Sequence, residues 1–262
     1  MDPAAREFDP HVPPWLIKMG GWLRDVADFC YPGLCPGCRA FCPGGQQLCQ
    51  ICDDQLNALA AIPHCDMCGQ TLSYPNAPCP HCINRGVPHY RKIVRLSGFE
   101  TPIRSLIHQF KYHGRWAIGE MLADRLLKED RVKALLDETD CLLPVPLHVW
   151  RQISRGFNQA EIIAERISQA SGTPVIAAIS RRRHTETQTH LHSRSQRTRN
   201  LKDAFHLKDA DAIAGRRVLV IDDVMTTGAT LQTLGRALRP ARPARLNGLV
   251  VAVTHHSATV HK

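Results

Sequence analysis

The chain has 262 residues, 44% of them hydrophobic and 22% charged, a composition that excludes a disordered polypeptide and suits one ordinary domain plus a small one, or a single large α/β domain. Lys and Arg outnumber Asp and Glu by 33 to 24, a balance that favours polyanionic partners such as phosphates, nucleic acid or an acidic membrane surface. Residues 1–14 lack the basic segment and apolar run of a secretory signal, and no stretch approaches the roughly 20 apolar residues of a spanning helix, so a soluble cytoplasmic protein is expected.

The first 34 residues predict one amphipathic helix over 15–29, with Trp15, Leu16, Met19, Trp22, Leu23, Val26 and Phe29 on one face. Packing of that face on the protein is favoured over a membrane-surface role. Its polar side mixes Lys18 and Arg24 with Asp25 and Asp28, unlike a helix that binds anionic lipid.

Cysteine marks the next segment, residues 35–88. Ten of the eleven cysteines lie between Cys30 and Cys82. Cys35, Cys38, Cys49 and Cys52 recur as Cys65, Cys68, Cys79 and Cys82, each displaced by 30 residues, so both halves read C-x2-C-x10-C-x2-C. Each C-x2-C turn aims two thiolates at one point, and two turns complete a tetrahedral zinc site. Two structural zinc ions are therefore expected, in ribbons too small to bury a core without metal. Redox-active pairs are the weaker alternative, since four pairs in register look like ligation. Pairing within each module is favoured, with interleaved sites left open. Cys30 and Cys42 are spare, and His81 could compete as a ligand.

From residue 89 onward strands and helices alternate, which predicts a parallel sheet covered by helices. Strands are expected at 93–99, 141–147, 174–179, 217–221 and 246–254. Helices are expected at 102–112, 117–128, 158–171 and 230–238. Residues 181–203 carry no hydrophobic periodicity. From Arg181 to Lys202 they hold seven Arg and Lys against Glu186 alone, a composition that fits either a lid or a solvated basic loop, with the lid favoured.

The chemistry concentrates after the buried-type strand Val218-Leu219-Val220-Ile221. Asp222 and Asp223 follow, then Val224-Met225-Thr226-Thr227-Gly228-Ala229-Thr230, then a helix. In open α/β sheets ligands bind beyond the carboxyl ends of strands. A turn into a helix presents free N–H groups and the positive end of the dipole, which suits a phosphate. Two adjacent carboxylates accept hydrogen bonds only, and the vicinal hydroxyls of a ribose, with Mg2+ on the same ligand, would satisfy them. A capping Asp with a threonine-rich turn explains one of these acids but not the whole string.

This string resembles the phosphoribosyltransferase signature. The resemblance implies a type I phosphoribosyltransferase-like fold with a central parallel sheet of about five strands and helices on both faces. It also implies ribose contacts from Asp222 and Asp223 and 5′-phosphate contacts from residues 226–230. Further strings narrow the likeness: Pro144-Val145-Pro146-Leu147-His148, Arg151, Arg155-Gly156-Phe157-Asn158-Gln159-Ala160, Leu106-Ile107-His108 with Lys111-Tyr112, and Arg183, Thr185, Gln188, Leu191, Arg194, Arg197 and Asn200 before Ala204-Phe205. Together with the cysteine ribbons these resemble the ComF/GntX family, phosphoribosyltransferase-like proteins linked to DNA uptake in competence or to use of DNA as a nutrient. The resemblance implies a pyrophosphate loop at 146–156 with Arg151 and Arg155 as its cations, and a closing loop that brings Arg194 and Arg197 over the ligand.

The implied ligand is phosphoribosyl pyrophosphate with Mg2+, transferred to an acceptor that no residue identifies. In part, the hood over the acceptor would come from residues 60–115. A non-catalytic accessory protein is the competing reading. It would bind single-stranded DNA through the ribbons, the basic loop and Trp22, Tyr112 or Trp116, beside membrane uptake proteins.

Overall fold

The computed structural model describes residues 33–42, 47–83, 85–112, 114–147, 156–181 and 204–254. The helix expected at 15–29 lies outside them, as do Arg151, Arg155, Arg194, Arg197 and the basic segment 182–203.

In chain order the elements are α1 (Gln50–Ala60), β1 (Ile93–Gly98), α2 (Ile103–Tyr112), α3 (Trp116–Lys128), α4 (Asp130–Asp137), β2 (Cys141–Pro144), α5 (Gln159–Ser171), β3 (Ile179–Arg181), β4 (Phe205–Leu207), β5 (Arg217–Met225) and α6 (Ala229–Leu238), a short 3-10 turn, and β6 (Arg245–Val253). Four strands form one sheet in the order β1-β6-β5-β2, parallel throughout. Its strands are nearly continuous apolar runs because helices cover both faces. A single parallel bridge from Val175 to Leu142 extends the β2 edge.

The two faces hold separate cores. One is filled by Leu106, Phe110, Leu122, Leu126 and Ile163, from α2, α3 and α5, against Leu219 and Ile221. The other packs Leu231, Leu234 and Leu238 of α6 on Val218 and Val220. The alternating residues of β5 thus divide between faces as pleat geometry requires. Helix α5 starts at Asn158, whose side chain accepts from the Ala160 N–H at 3.1 Å and donates to the Val145 carbonyl at 3.1 Å. It ends at Gly172, which takes the left-handed conformation (φ 73°) that closes many helices.

Three expectations need correction. The strand expected at 174–179 is reduced to the bridge at Val175. The strand that forms is Ile179–Arg181, antiparallel to Phe205–Leu207. Its partner lies across the basic segment, so no local pattern announces it. Arg181 also stacks over the Phe205 ring at 5.5 Å, pinning the two ends of that segment together. Helix α4 was not anticipated, although Val132 and Leu135 are buried one turn apart. Finally, β5 runs four residues past Ile221, because β6 continues to pair with it through Met225↔Val253.

The cysteine segment is welded to this sheet. Cys35, Cys52 and Leu56 belong to the core of α2, α3 and α5, whereas Cys65, Cys68 and Leu72 belong to that of α6. The Gln109 amide of α2 donates to the Pro36 carbonyl, and Arg125 of α3 pairs with Asp53 and with Asn57 of α1. On the other face the Ile93 N–H bonds the Asp66 carbonyl at 2.8 Å.

Gly119 marks a close crossing of α3 with α2 and α5. A Cβ there would meet the Phe110 ring, and Ile162 Cγ2 at 2.9 Å. Gly119→Leu is expected to overpack this contact and cost about 1–3 kcal/mol, visible as a lower urea midpoint with an unchanged m-value.

Candidate metal and phosphate sites

The 30-residue sequence repeat is also a structural one. The bridge Leu34↔Phe41 recurs as His64↔Thr71. The bonds Cys35 N–H to Ala40 O, Arg39 N–H to Cys35 O and Cys42 N–H to Gly33 O recur 30 residues later at Cys65, Gly69 and Leu72, all between 2.7 and 2.9 Å. Arg39 and Gly69 take the same positive φ, 65° and 71°. The modules diverge after their third cysteine. Gln50–Ala60 forms α1, while Pro80, Gly86 and Pro88 prevent a helix after Cys79.

In each module the four sulfurs lie within 4.8 Å of one another: Cys35, Cys38, Cys49 and Cys52, and Cys65, Cys68, Cys79 and Cys82. Pairing is within modules, not interleaved. Cys38–Cys49 and Cys68–Cys79 are 3.6 Å apart and Cys65–Cys82 3.8 Å, near the edge of about 3.8 Å that a tetrahedral zinc tetrathiolate requires. These are not disulfides, and all ten described cysteines are free. Two closed four-sulfur sets fit structural zinc. Burial opposes ionisation of Cys35, but backbone N–H groups of Cys49, Cys38 and Gly37 outweigh it and bring the thiol down to about 6. His81 is not in either set.

Asp222 and Asp223 lie within β5, near its carboxyl end. Successive strand residues face opposite ways, and their surroundings follow that rule. Asp223 is buried and pairs at 2.7 Å with Lys111, in the last turn of α2. Asp222 accepts the Asp223 N–H at 2.9 Å and lies in the field of Arg181 and Tyr90. Desolvation, then the charge of Asp223, pushes Asp222 up to about 7, against the pull of Lys111. Among the described residues the buried Tyr90 hydroxyl finds no hydrogen-bond partner.

Thr226 and Thr227 follow the strand, and Gly228 turns the chain into α6 with φ 74° and ψ 2°. A Cβ there would have ordinary contacts, so it is the positive φ that favours glycine. The N–H groups of Ala229 and Thr230 open the helix and have no partners one turn back. Among the described residues Ala229 N–H reaches its neighbour Thr227 Oγ1, at 3.4 Å. Beside this turn lies a cavity of about 180 Å³, with Gln70, His81 and Val87 on one wall and Thr226, Thr227 and Gln232 on the other. The second cysteine module thus sits directly against the turn. Gln70 anchors it, donating at 3.0 Å to the Thr254 carbonyl, while Thr254 N–H bonds Met225.

The sequence reading missed Lys111, Tyr90 and Gln70 as neighbours of this region. Lys111 had a signal, the Lys111-Tyr112 string, but only as a family likeness. Gln70 and Tyr90 had none.

The phosphoribosyl transferase domain family matches residues 153–262. Competence protein F of Haemophilus influenzae is 33% identical over 197 residues, covering 73% of this chain and 84% of that protein. DNA utilization protein YhgH of Salmonella typhimurium is 33% identical over 214 residues, covering 79% and 91%. The chain belongs to the ComF/GntX family. Among solved structures, a purine phosphoribosyltransferase from Pyrococcus horikoshii aligns with 16% identity and a TM-score of 0.32, over 51% of this chain and 73% of that one. Among the described residues no helix is long and apolar enough to cross a membrane.

Proposed function

We propose that the chain binds phosphoribosyl pyrophosphate with Mg2+ and serves DNA uptake or the use of DNA as a nutrient. The observation that carries this is the juxtaposition of Asp222 and Asp223 with the Thr226–Thr230 turn at the end of one parallel strand. Asp222 and Asp223 accept the ribose hydroxyls, and the turn donates N–H groups and hydroxyls to the 5′-phosphate. Met225 and Val224 carry the chain between these two contacts. Mg2+ supplies charge neutralisation of the pyrophosphate when bound. Lys111, paired with Asp223 at 2.7 Å, holds that carboxylate in place. Arg151 and Arg155 take the pyrophosphate side, and Arg194 and Arg197 close over it. The cavity beside the second cysteine module receives the acceptor, in keeping with a hood drawn partly from residues 60–115.

The pH dependence follows from Asp222. Its folded value is raised, so the protonated form stabilises the ligand-free fold. That contribution is full below the unfolded value of about 4 and is lost as pH rises through about 7. Binding to ribose hydroxyls needs the carboxylate, so complex formation below pH 7 expels a proton. Calorimetric affinity for phosphoribosyl pyrophosphate with Mg2+ is expected to rise about tenfold per pH unit up to pH 7 and then level off. The profile should be flatter in Asp222→Asn. A wild-type titration with no heat at pH 8 refutes the proposal.

A second reading is supported by Tyr112 and Trp116, which are 62% and 58% exposed at the end of α2 and the start of α3. Aromatic side chains so placed can stack on the bases of single-stranded DNA. The same titration separates the readings, because a purely DNA-binding accessory role predicts salt-sensitive DNA binding and no response to the sugar phosphate.

A further inference from the structure

Arg95 lies in the middle of β1 and is 1% exposed, the largest fully buried side chain among the described residues. Its Nη2 donates to Thr71 Oγ1 at 2.8 Å. Its Nε and Nη1 have no hydrogen-bond partner, and no carboxylate forms a salt bridge with it among the described residues. A guanidinium enclosed in this way is costly unless a negative charge lies near.

The surroundings place this guanidinium against the second cysteine module. Ile93, two residues back on the same face of β1, bonds Asp66 through its N–H, and its Cγ2 lies 3.6 Å from where a Gly69 Cβ would stand. Arg95 therefore points at the turn that carries Cys65 and Cys68, and Thr71 ends that turn. The charges facing it are few. Arg131 repels it, Glu100 and Cys68 attract it, and burial outweighs them all, bringing it down to about 10. Arg131 is paired with Glu129 at 3.5 Å and reaches His64.

The two cysteine sets differ in what can offset their charge. Four thiolates on a zinc dication leave two negative charges in excess. In the first set Cys38 is exposed and Cys49 half-buried, so water screens them, and N–H groups of Gly37 and Cys49 donate to Cys35. In the second set Cys65, Cys68 and Cys79 are buried and Cys82 is half-buried, so although backbone N–H groups of Met67, Gln70 and His81 also face its sulfurs, water screens it less.

We propose that Arg95 is the internal counter-ion of a zinc tetrathiolate at Cys65, Cys68, Cys79 and Cys82, so that the two metal sites are unequal and only the second depends on a charge supplied by the sheet. Each partner removes the cost of burying the other. Outer partners of this kind are typically worth 10–100-fold in metal affinity. The sheet that carries Asp222 thereby holds the metal site as well.

The test uses the full-length, zinc-loaded chain and follows metal release to a chromogenic chelator. The wild type is expected to release metal in two phases. Arg95→Met should accelerate only the slow phase, by about 10–100-fold, leaving the fast one unchanged. Arg95→Lys, which keeps the charge but not the shape, should restore slow release. Unchanged slow release in Arg95→Met overturns the proposal, and so does equal acceleration of both phases. Should Arg95→Met fail to fold, the lysine variant decides alone. Slow release there supports the counter-ion role, and fast release or failure to fold assigns Arg95 a role in shape only.

Discussion

Asp222→Asn/Asp223→Asn is expected to lower affinity for phosphoribosyl pyrophosphate with Mg2+ by about 30–150-fold while the chain stays folded. Hydrogen bonds that involve a charged group are worth about 1.5–3 kcal/mol each, and two of them would turn from charged to neutral. Asparagine keeps the volume, so the core is not the cause of the loss. The single variants separate binding from stability. Asp223→Asn leaves Lys111, itself largely buried, without its 2.7 Å partner and should cost about 1–3 kcal/mol in the ligand-free protein. Asp222→Asn removes a carboxylate that burial and Asp223 disfavour, so above pH 7 it should raise the melting temperature of the ligand-free protein. Calorimetry for binding and thermal melts at pH 8 check both. Retention of affinity within tenfold in the double variant would falsify the assignment of these acids. Opposite shifts in melting temperature for the two singles would show that strand alternation gives adjacent acids different environments.

Loss of the second cysteine set should be equally severe and should reach beyond its own module. Cys68→Ser is expected to reduce bound zinc from two ions to one per chain and to lower the melting temperature by more than about 10 °C. The scale follows from two facts. Zinc contributes about 10–16 kcal/mol to the folding of zinc-finger peptides, and 1 kcal/mol moves the melting point of a chain this long by about 2–4 °C. The reach follows from packing. Cys65, Cys68 and Leu72 share their core with α6 and with Val218 and Val220, so the module cannot loosen without exposing the face that supports the Thr226–Thr230 turn. Elemental analysis gives the metal count, and a melt followed by tryptophan and far-ultraviolet signals tests the coupling. Two transitions, with the sheet melting as in wild type, would show the module to be independent.

Much of the site could be read from residues that are neighbours along the chain. The Thr226–Thr230 turn needs a strand, a flexible residue and a helix start in succession, and Val218–Ile221, Gly228 and the apolar positions of α6 spell that order. The register of β5 was less legible. Asp222 and Asp223 were expected beyond the strand, yet Val250 and Ala252 of β6 keep it paired through them. Strand length depends on the partner, which no local pattern contains. The same reason hid the pairing of β3 with β4 across a basic segment of more than twenty residues.

By itself, the sequence determined the features that rest on short-range geometry: two cysteine modules displaced by 30 residues, a parallel α/β sheet, and an acid pair beside a phosphate-type turn. Bond angles, helical pitch and strand pleat convert spacing into shape over a few residues, so these survive without tertiary knowledge. Only the tertiary structure decided that each module closes its own sulfur tetrad, that the modules take opposite faces of the sheet, and that Lys111 meets Asp223 across 112 positions of chain. It also decided that Gln70 ties the second module to Thr254, and that Arg95 is buried beneath that module. Those outcomes depend on which apolar faces pack together, and charges are then placed by the packing rather than by their order along the chain.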